Sequence, residues 1–223
     1  MLLAIFKKEY LENSRNFSSI ISSVAFFLLS LAIFAFIADV NNNLVSNIAI
    51  ANIWILILFT ILFSSGDSFK KDFEDGNFEQ FFLSGNHLEL IILAKIFSNW
   101  CFKILPLIIS LPVALAILKV DLQICLALIV NALITTFILA LIIAFSDALT
   151  LAINKNSAFL LLLILPVILP ILIFANSALL NFGQNNFYEL FLSNIGFLVA
   201  ILVFLLPIFT IAIAQILKIN LRS

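Results

Sequence analysis

Charge is what this sequence most conspicuously lacks. Of its 223 residues 64% are hydrophobic and only 10% are Asp, Glu, Lys or Arg. A water-soluble domain carries about a quarter charged residues to cover its surface, so lipid has to be the solvent around most of this chain. Glycine is scarce too. The five glycines, at 66, 76, 85, 183 and 196, never take the G-x-x-x-x-G-K-[ST] spacing whose backbone amides cradle phosphates. The chain therefore cannot hydrolyse ATP alone, and it is not expected to be an enzyme. Cys101 and Cys125 lie in apolar runs outside any C-x-x-C pair. They read as small buried hydrophobes, with no metal site and no disulfide framework implied. Acids and histidine are missing from the middle of the apolar runs, which argues against a proton-coupled carrier. Asp147 is expected at the end of the fourth run. A net charge of −1 leaves no electrostatic footprint for nucleic acid.

What is present is a series of apolar runs at 17–38, 48–66, 88–118, 122–145, 158–180 and 194–217. Crossing about 30 Å of hydrocarbon takes about 20 helical residues, so the pattern predicts an all-α, polytopic membrane protein with six transmembrane helices in a single domain, 1–223. The first run follows Lys7, Lys8 and Arg15 but is too long for a signal sequence, and it reads as a retained helix. Only Lys119-Val120-Asp121 separates the third run from the fourth. Lys7, Lys8, Arg15, Lys70, Lys71, Lys95, Lys155, Lys218 and Arg222 all fall on one side of a six-span arrangement, and Lys119 breaks the pattern. The positive-inside rule then puts both termini in the cytoplasm. Lys103 is left near one end of the third run, where its stem can snorkel. All five prolines lie inside runs; Pro166 and Pro170, one turn apart, should bend the fifth helix and are candidate hinge residues. Residues 1–16 are amphipathic, with Leu2, Leu3, Phe6 and Tyr10 opposite Lys7, Lys8, Glu9 and Glu12. They read either as an interfacial helix or as a simple topogenic N-terminus.

The polar exception is residues 67–86. Asp75-Gly76 reads as a turn, followed by a short helix over 77–83 that puts Phe78, Phe81 and Phe82 on one face. Gly85 suits a helix end, and Asn86 with Glu89 approaches a capping box for the third helix. Two readings stay open: a helix lying on lipid headgroups, or a knob whose aromatics anchor a cytoplasmic partner while its charges set register.

Phe69, Asp72 and Asp75-Gly76-x-x-Glu79-Gln80 resemble the coupling-helix region of type-2 ABC exporter permeases. Leu93-Ala94-Lys95 with Trp100, Leu105-Pro106-Leu107, the run Leu165-Pro166-x-x-x-Pro170-x-Leu172-Ile173-Phe174-Ala175, and Pro207 narrow the likeness. In length, span count and motif order the chain is similar to the heme exporter protein B family of the system I cytochrome c maturation machinery. The sequence departs from that pattern at Ser84-Gly85-Asn86-His87, at Phe78 and at Lys103.

The resemblance implies an inner-membrane permease subunit, homodimeric within its complex, that binds no cofactor itself. Its partners would be a cytoplasmic ABC ATPase that holds the ATP, a Trp-rich heme-handling membrane protein and a periplasmic heme chaperone. ATP hydrolysis would be coupled to heme export, or to release of the heme-loaded chaperone. Asp72, Asp75, Gly76, Phe78, Glu79, Gln80, Phe81 and Phe82 would couple to the ATPase: Gly76 by allowing the turn, Asp75 and Glu79 by setting register, the phenylalanines by anchoring. With His87 and Met1 the only residues of their types, axial ligands for a heme are scarce. The alternatives are a type-2 permease for a lipid, drug or polysaccharide, and a non-transporting scaffold that holds the ATPase to its partners.

Overall fold

The computed structural model describes residues 8, 17–38, 43–64, 69, 72–73, 75–76, 78, 87–120, 122–153, 157–180 and 186–220, and every regular element among them is helical. In chain order these are α1 (Phe17–Ala38), α2 (Asn43–Ser64), α3 (Leu88–Asn99), a π-helical turn (Trp100–Ile104), α4 (Leu105–Ile109), α5 (Leu111–Ile117), a 3-10 turn (Leu122–Ile124), α6 (Cys125–Ile153), α7 (Ser157–Ser177) and α8 (Phe187–Asn220). Four stretches are long and apolar enough to cross a membrane: Ser18–Ile37, Leu88–Ile117, Cys125–Leu151 and Phe187–Asn220. Two further apolar stretches, Ile48–Phe63 and Ile164–Ser177, are shorter. Phe36 is 94% exposed, Leu126 76% and Phe204 67%, and an outer surface built of such groups is solvated by lipid rather than water. The protein is an all-α, polytopic membrane protein.

A helix that is hydrophobic all round is buried by its neighbours, and α6 is the helix in that position. It packs against α2, α3, α4, α5, α7 and α8, while α1 lies against α2, α4 and α5. Inside this bundle lipid offers no hydrogen bonds, so polar side chains gain by pairing between helices or with their own backbone. Asn131 Nδ2 donates to the Ala175 carbonyl at 2.6 Å, one of the last carbonyls of α7 and without an intrahelical partner of its own. Thr135 Oγ1 donates to Asn131 Oδ1 at 3.1 Å. Trp100 Nε1 donates to Thr136 Oγ1 at 3.0 Å.

The third apolar run is not one regular helix. Trp100–Ile104 is wound wider, and the Leu105 amide reaches the Trp100 carbonyl five residues back. Proline at 106 has no N–H, and its ring would collide with the carbonyl four residues earlier in a regular helix; the wide turn relieves that conflict. Pro112 likewise opens α5. The run ends in a C-terminal cap at the boundary that Lys119-Val120-Asp121 leaves thin in sequence. Lys119 takes φ +52°, its amide reaches Ala116 O at 3.3 Å, and the Val120 amide reaches Leu115 O at 3.0 Å. That paired bonding is a Schellman motif.

Three expectations are corrected. The apolar pattern ends the fourth run at 145, yet α6 continues to Ile153, so Asp147 lies inside a helix and is 6% exposed. Protein rather than lipid surrounds this end, which lets polar residues remain helical there. The sixth run extends in both directions, to Phe187–Asn220, with Glu189 in its first turn and Lys218 in its last, each complementing the helix dipole. Cys101 and Cys125 are free and only half-buried. Pro166 and Pro170 both sit inside α7, with their rings on its exposed side.

Candidate functional site

The loop between α2 and α3 is fastened to the bundle by a charge cluster centred on Asp72. Its side chain is 2% exposed. Lys8 Nζ donates to Asp72 Oδ1 at 2.6 Å, and Lys95 Nζ, itself buried in α3, donates to Asp72 Oδ2. A carboxylate out of water is tolerated only when its oxygens are paired, and here each oxygen has its own ammonium group. Burial penalises the charged carboxylate, but the charge of Lys95 and the hydrogen bonds from Lys8 and Lys95 outweigh that penalty and hold its pKa below the usual range. One carboxylate thereby ties the N-terminal segment, the loop and the third run together.

Aromatic packing completes the attachment. The Phe69 and Phe78 rings stack with centroids 6.0 Å apart and planes 4° from parallel, and Lys95 Nζ lies 5.7 Å from the Phe69 centroid. Phe78 is 0% exposed, and with Phe69 it joins a cluster containing Leu88, Ile92, Ile96, Leu141 and Ile213. Phe73 packs against the same cluster. Phe78 thus corrects the sequence reading, which put it on an outward docking face. An aromatic beside the apolar ends of α3, α6 and α8 gains more by joining them than by facing water. Next in sequence to the cluster members Leu88 and Leu217, Lys218 of α8 donates to Glu89 of α3 at 3.0 Å.

Asp75 and Gly76 close the turn as expected. The Gly76 amide donates to Phe73 O at 3.1 Å, and Gly76 takes φ +70°, with no atom of the described residues beyond its chain neighbours within 4 Å of where a Cβ would stand. The left-handed backbone, not crowding, makes glycine suitable there. Asp75 is exposed. Glu79, Gln80, Phe81 and Phe82 lie outside the described residues, as do Gly85, Asn86 and, Lys8 apart, residues 1–16. The N-cap of α3 is His87, which makes no side-chain cap bond and is exposed. The hinge candidates Pro166 and Pro170 belong to α7, which contributes nothing to the described cluster around Phe69 and Phe78.

Lys8 and Lys95 are clasp residues that sequence reasoning places as orientation markers, on the polar face of residues 1–16 and in a family motif, but not as partners of Asp72. The available signal was a lysine seven residues into an apolar run, a position that calls for a buried partner.

Removing one partner of a buried ion pair costs about 3–5 kcal/mol, so Asp72→Asn should lower the thermal midpoint of the detergent-solubilised protein. Because the folded pKa is depressed, the carboxylate's contribution is complete above the unfolded value of about 3.9 and is lost as pH falls through the folded value. The gap between wild type and variant should therefore be full near neutral pH and close in strong acid. A gap that persists unchanged into strong acid would show that Asp72 does not stabilise as a charge.

Residues 1–220 match the family described as CcmB protein. Heme exporter protein B of Haemophilus influenzae is 34% identical over 223 residues, covering 100% of both chains. Heme exporter protein B of Pseudomonas aeruginosa is 30% identical over 165 residues, 74% of each chain. The putative cytochrome c biogenesis ccmB-like mitochondrial protein of Marchantia polymorpha is 28% identical over 166 residues, 73% of this chain and 58% of that one. A match that runs through the loop, the clasp and all the apolar runs leaves one assignment: this chain belongs to the CcmB protein family.

Proposed function

We propose that this chain is the permease subunit of an ABC-type complex for cytochrome c maturation, and that a separate cytoplasmic ATPase docks on its loop at 67–86. The observation that carries the reading is the Asp72 clasp. A loop that merely connected α2 to α3 would have no use for a buried carboxylate shared by Lys8 and Lys95, whereas a loop that transmits force must not yield before the helices it pushes. The names of the relatives, heme exporter protein B and cytochrome c biogenesis protein, support heme as the group handled by the complex.

In this reading the chain spans the inner membrane six times with both termini cytoplasmic and works as a homodimer. It acts with a Trp-rich heme-handling membrane protein and a periplasmic heme chaperone. ATP is bound and hydrolysed in the partner, and its energy drives heme export or release of the loaded chaperone. Asp72 and Phe78 hold the loop from within. Asp75 and Gly76 form its tip, and Glu79, Gln80, Phe81 and Phe82 complete the face that meets the ATPase. Pro166 and Pro170 act as a hinge in α7.

Gly76→Val combined with Glu79→Lys is expected to leave the protein folded in the membrane while abolishing cytochrome c maturation, with ATP hydrolysis no longer coupled to it. Left-handed backbone costs a β-branched residue about 1–2 kcal/mol, enough to distort the turn but not the bundle. Maturation at the wild-type level in that variant would refute docking through this loop. Replacing Pro166 and Pro170 together with Ala should lower maturation without loss of protein; unchanged maturation would remove the hinge.

A further inference from the structure

Beside the clasp is a cavity of about 30 Å³, lined by Asn99, Trp100 and Lys103 from the third run, Ala144 and Asp147 from α6, and Phe69 from the loop. Lys103 and Asp147 both lie inside stretches long and apolar enough to cross a membrane. Ionisable residues at such positions are expensive and tend to mark function. Here the two have opposite sign, come from different helices and face one space. That space is larger than the roughly 10–15 Å³ one water requires, so it can hold a water beside these two side chains.

Two features connect this cavity to the loop. Phe69 forms one of its walls, and the same ring stacks on Phe78 and lies beneath the Lys95 ammonium that holds Asp72. A displacement of the loop therefore moves a wall of the cavity. Trp100 and Lys103, which also line it, belong to the π-helical turn, a winding that accumulates at functional sites. It is followed by Pro106, where the helix has one hydrogen bond fewer to lose.

We infer that Lys103 and Asp147 are positioning residues that convert movement of the loop into movement of the third run against α6. In this inference they do so by exchanging between a direct and a water-separated pairing across this cavity. The inference rests on the docking reading above but concerns a different step: the pair binds neither the ATPase nor the exported group, and it passes on motion that docking has already delivered.

The test uses the full complex in its native membrane, with Lys103→Met and Asp147→Asn as separate variants. Three quantities are read: ATPase recovered with the tagged chain, the rate of ATP hydrolysis, and cytochrome c matured per ATP hydrolysed. Each variant should recover as much ATPase as wild type, with matured cytochrome per ATP falling about tenfold, within the range that residues along a coupling network command. The double variant Lys103→Arg with Asp147→Glu, which keeps both charges, should regain most of that ratio. A ratio within about twofold of wild type in both single variants would overturn the inference while leaving docking intact. A loss that follows the amount of folded protein, with the ratio per ATP preserved, would also overturn it, since the pair would then be structural. If wild type itself recovers no ATPase, docking fails and this inference fails with it.

Discussion

A carboxylate removed from water and shared between two lysines is the interaction on which the rest of this structure depends. Asp72 stays charged while 2% exposed with an ammonium group on each of its oxygens, and Lys95, inside an apolar helix, is balanced by the same carboxylate. Each group makes the other's position tolerable. Through Lys8 the same carboxylate also reaches the N-terminal segment. Three stretches distant in sequence meet at one point, and the exposed turn at Asp75 and Gly76 is held relative to the membrane helices rather than hanging from them.

That attachment matters because the bundle behind it is organised around one helix. Lipid provides no hydrophobic drive for helices to associate, so packing and interhelical hydrogen bonds hold them. The core of α6 supplies both, through its buried apolar side chains and through Asn131 bonded to the end of α7 and Thr136 bonded to Trp100. The third run, which carries Lys95, departs from regular winding at Trp100–Ile104. A firmly held loop therefore adjoins a helix whose winding changes at Trp100–Ile104.

The sequence made the membrane solvent, the apolar runs and the one polar loop legible, because each follows from composition over windows of about 20 residues. The turn at Gly76 was legible too, from Asp-Gly alone. Phe78 was misread because amphipathicity identifies a face but not which side of the chain it meets, and here the ends of α3, α6 and α8 claim it. The partners of Asp72 are 64 and 23 residues away, beyond the reach of local pattern. The length of α6 was underestimated because Ser146 and Asp147 look like the end of a span. In the fold they are enclosed by protein, so the polar residues do not end the helix. The π-helical turn has no signature of its own beyond Pro106.

The central claim, that this chain is a membrane subunit carrying an ATPase on its polar loop, is tested most directly by purifying the tagged chain from its native membrane in mild detergent and identifying what accompanies it. The account predicts a cytoplasmic ABC ATPase together with a Trp-rich heme-handling membrane protein. Recovery of a folded chain with neither partner would contradict it.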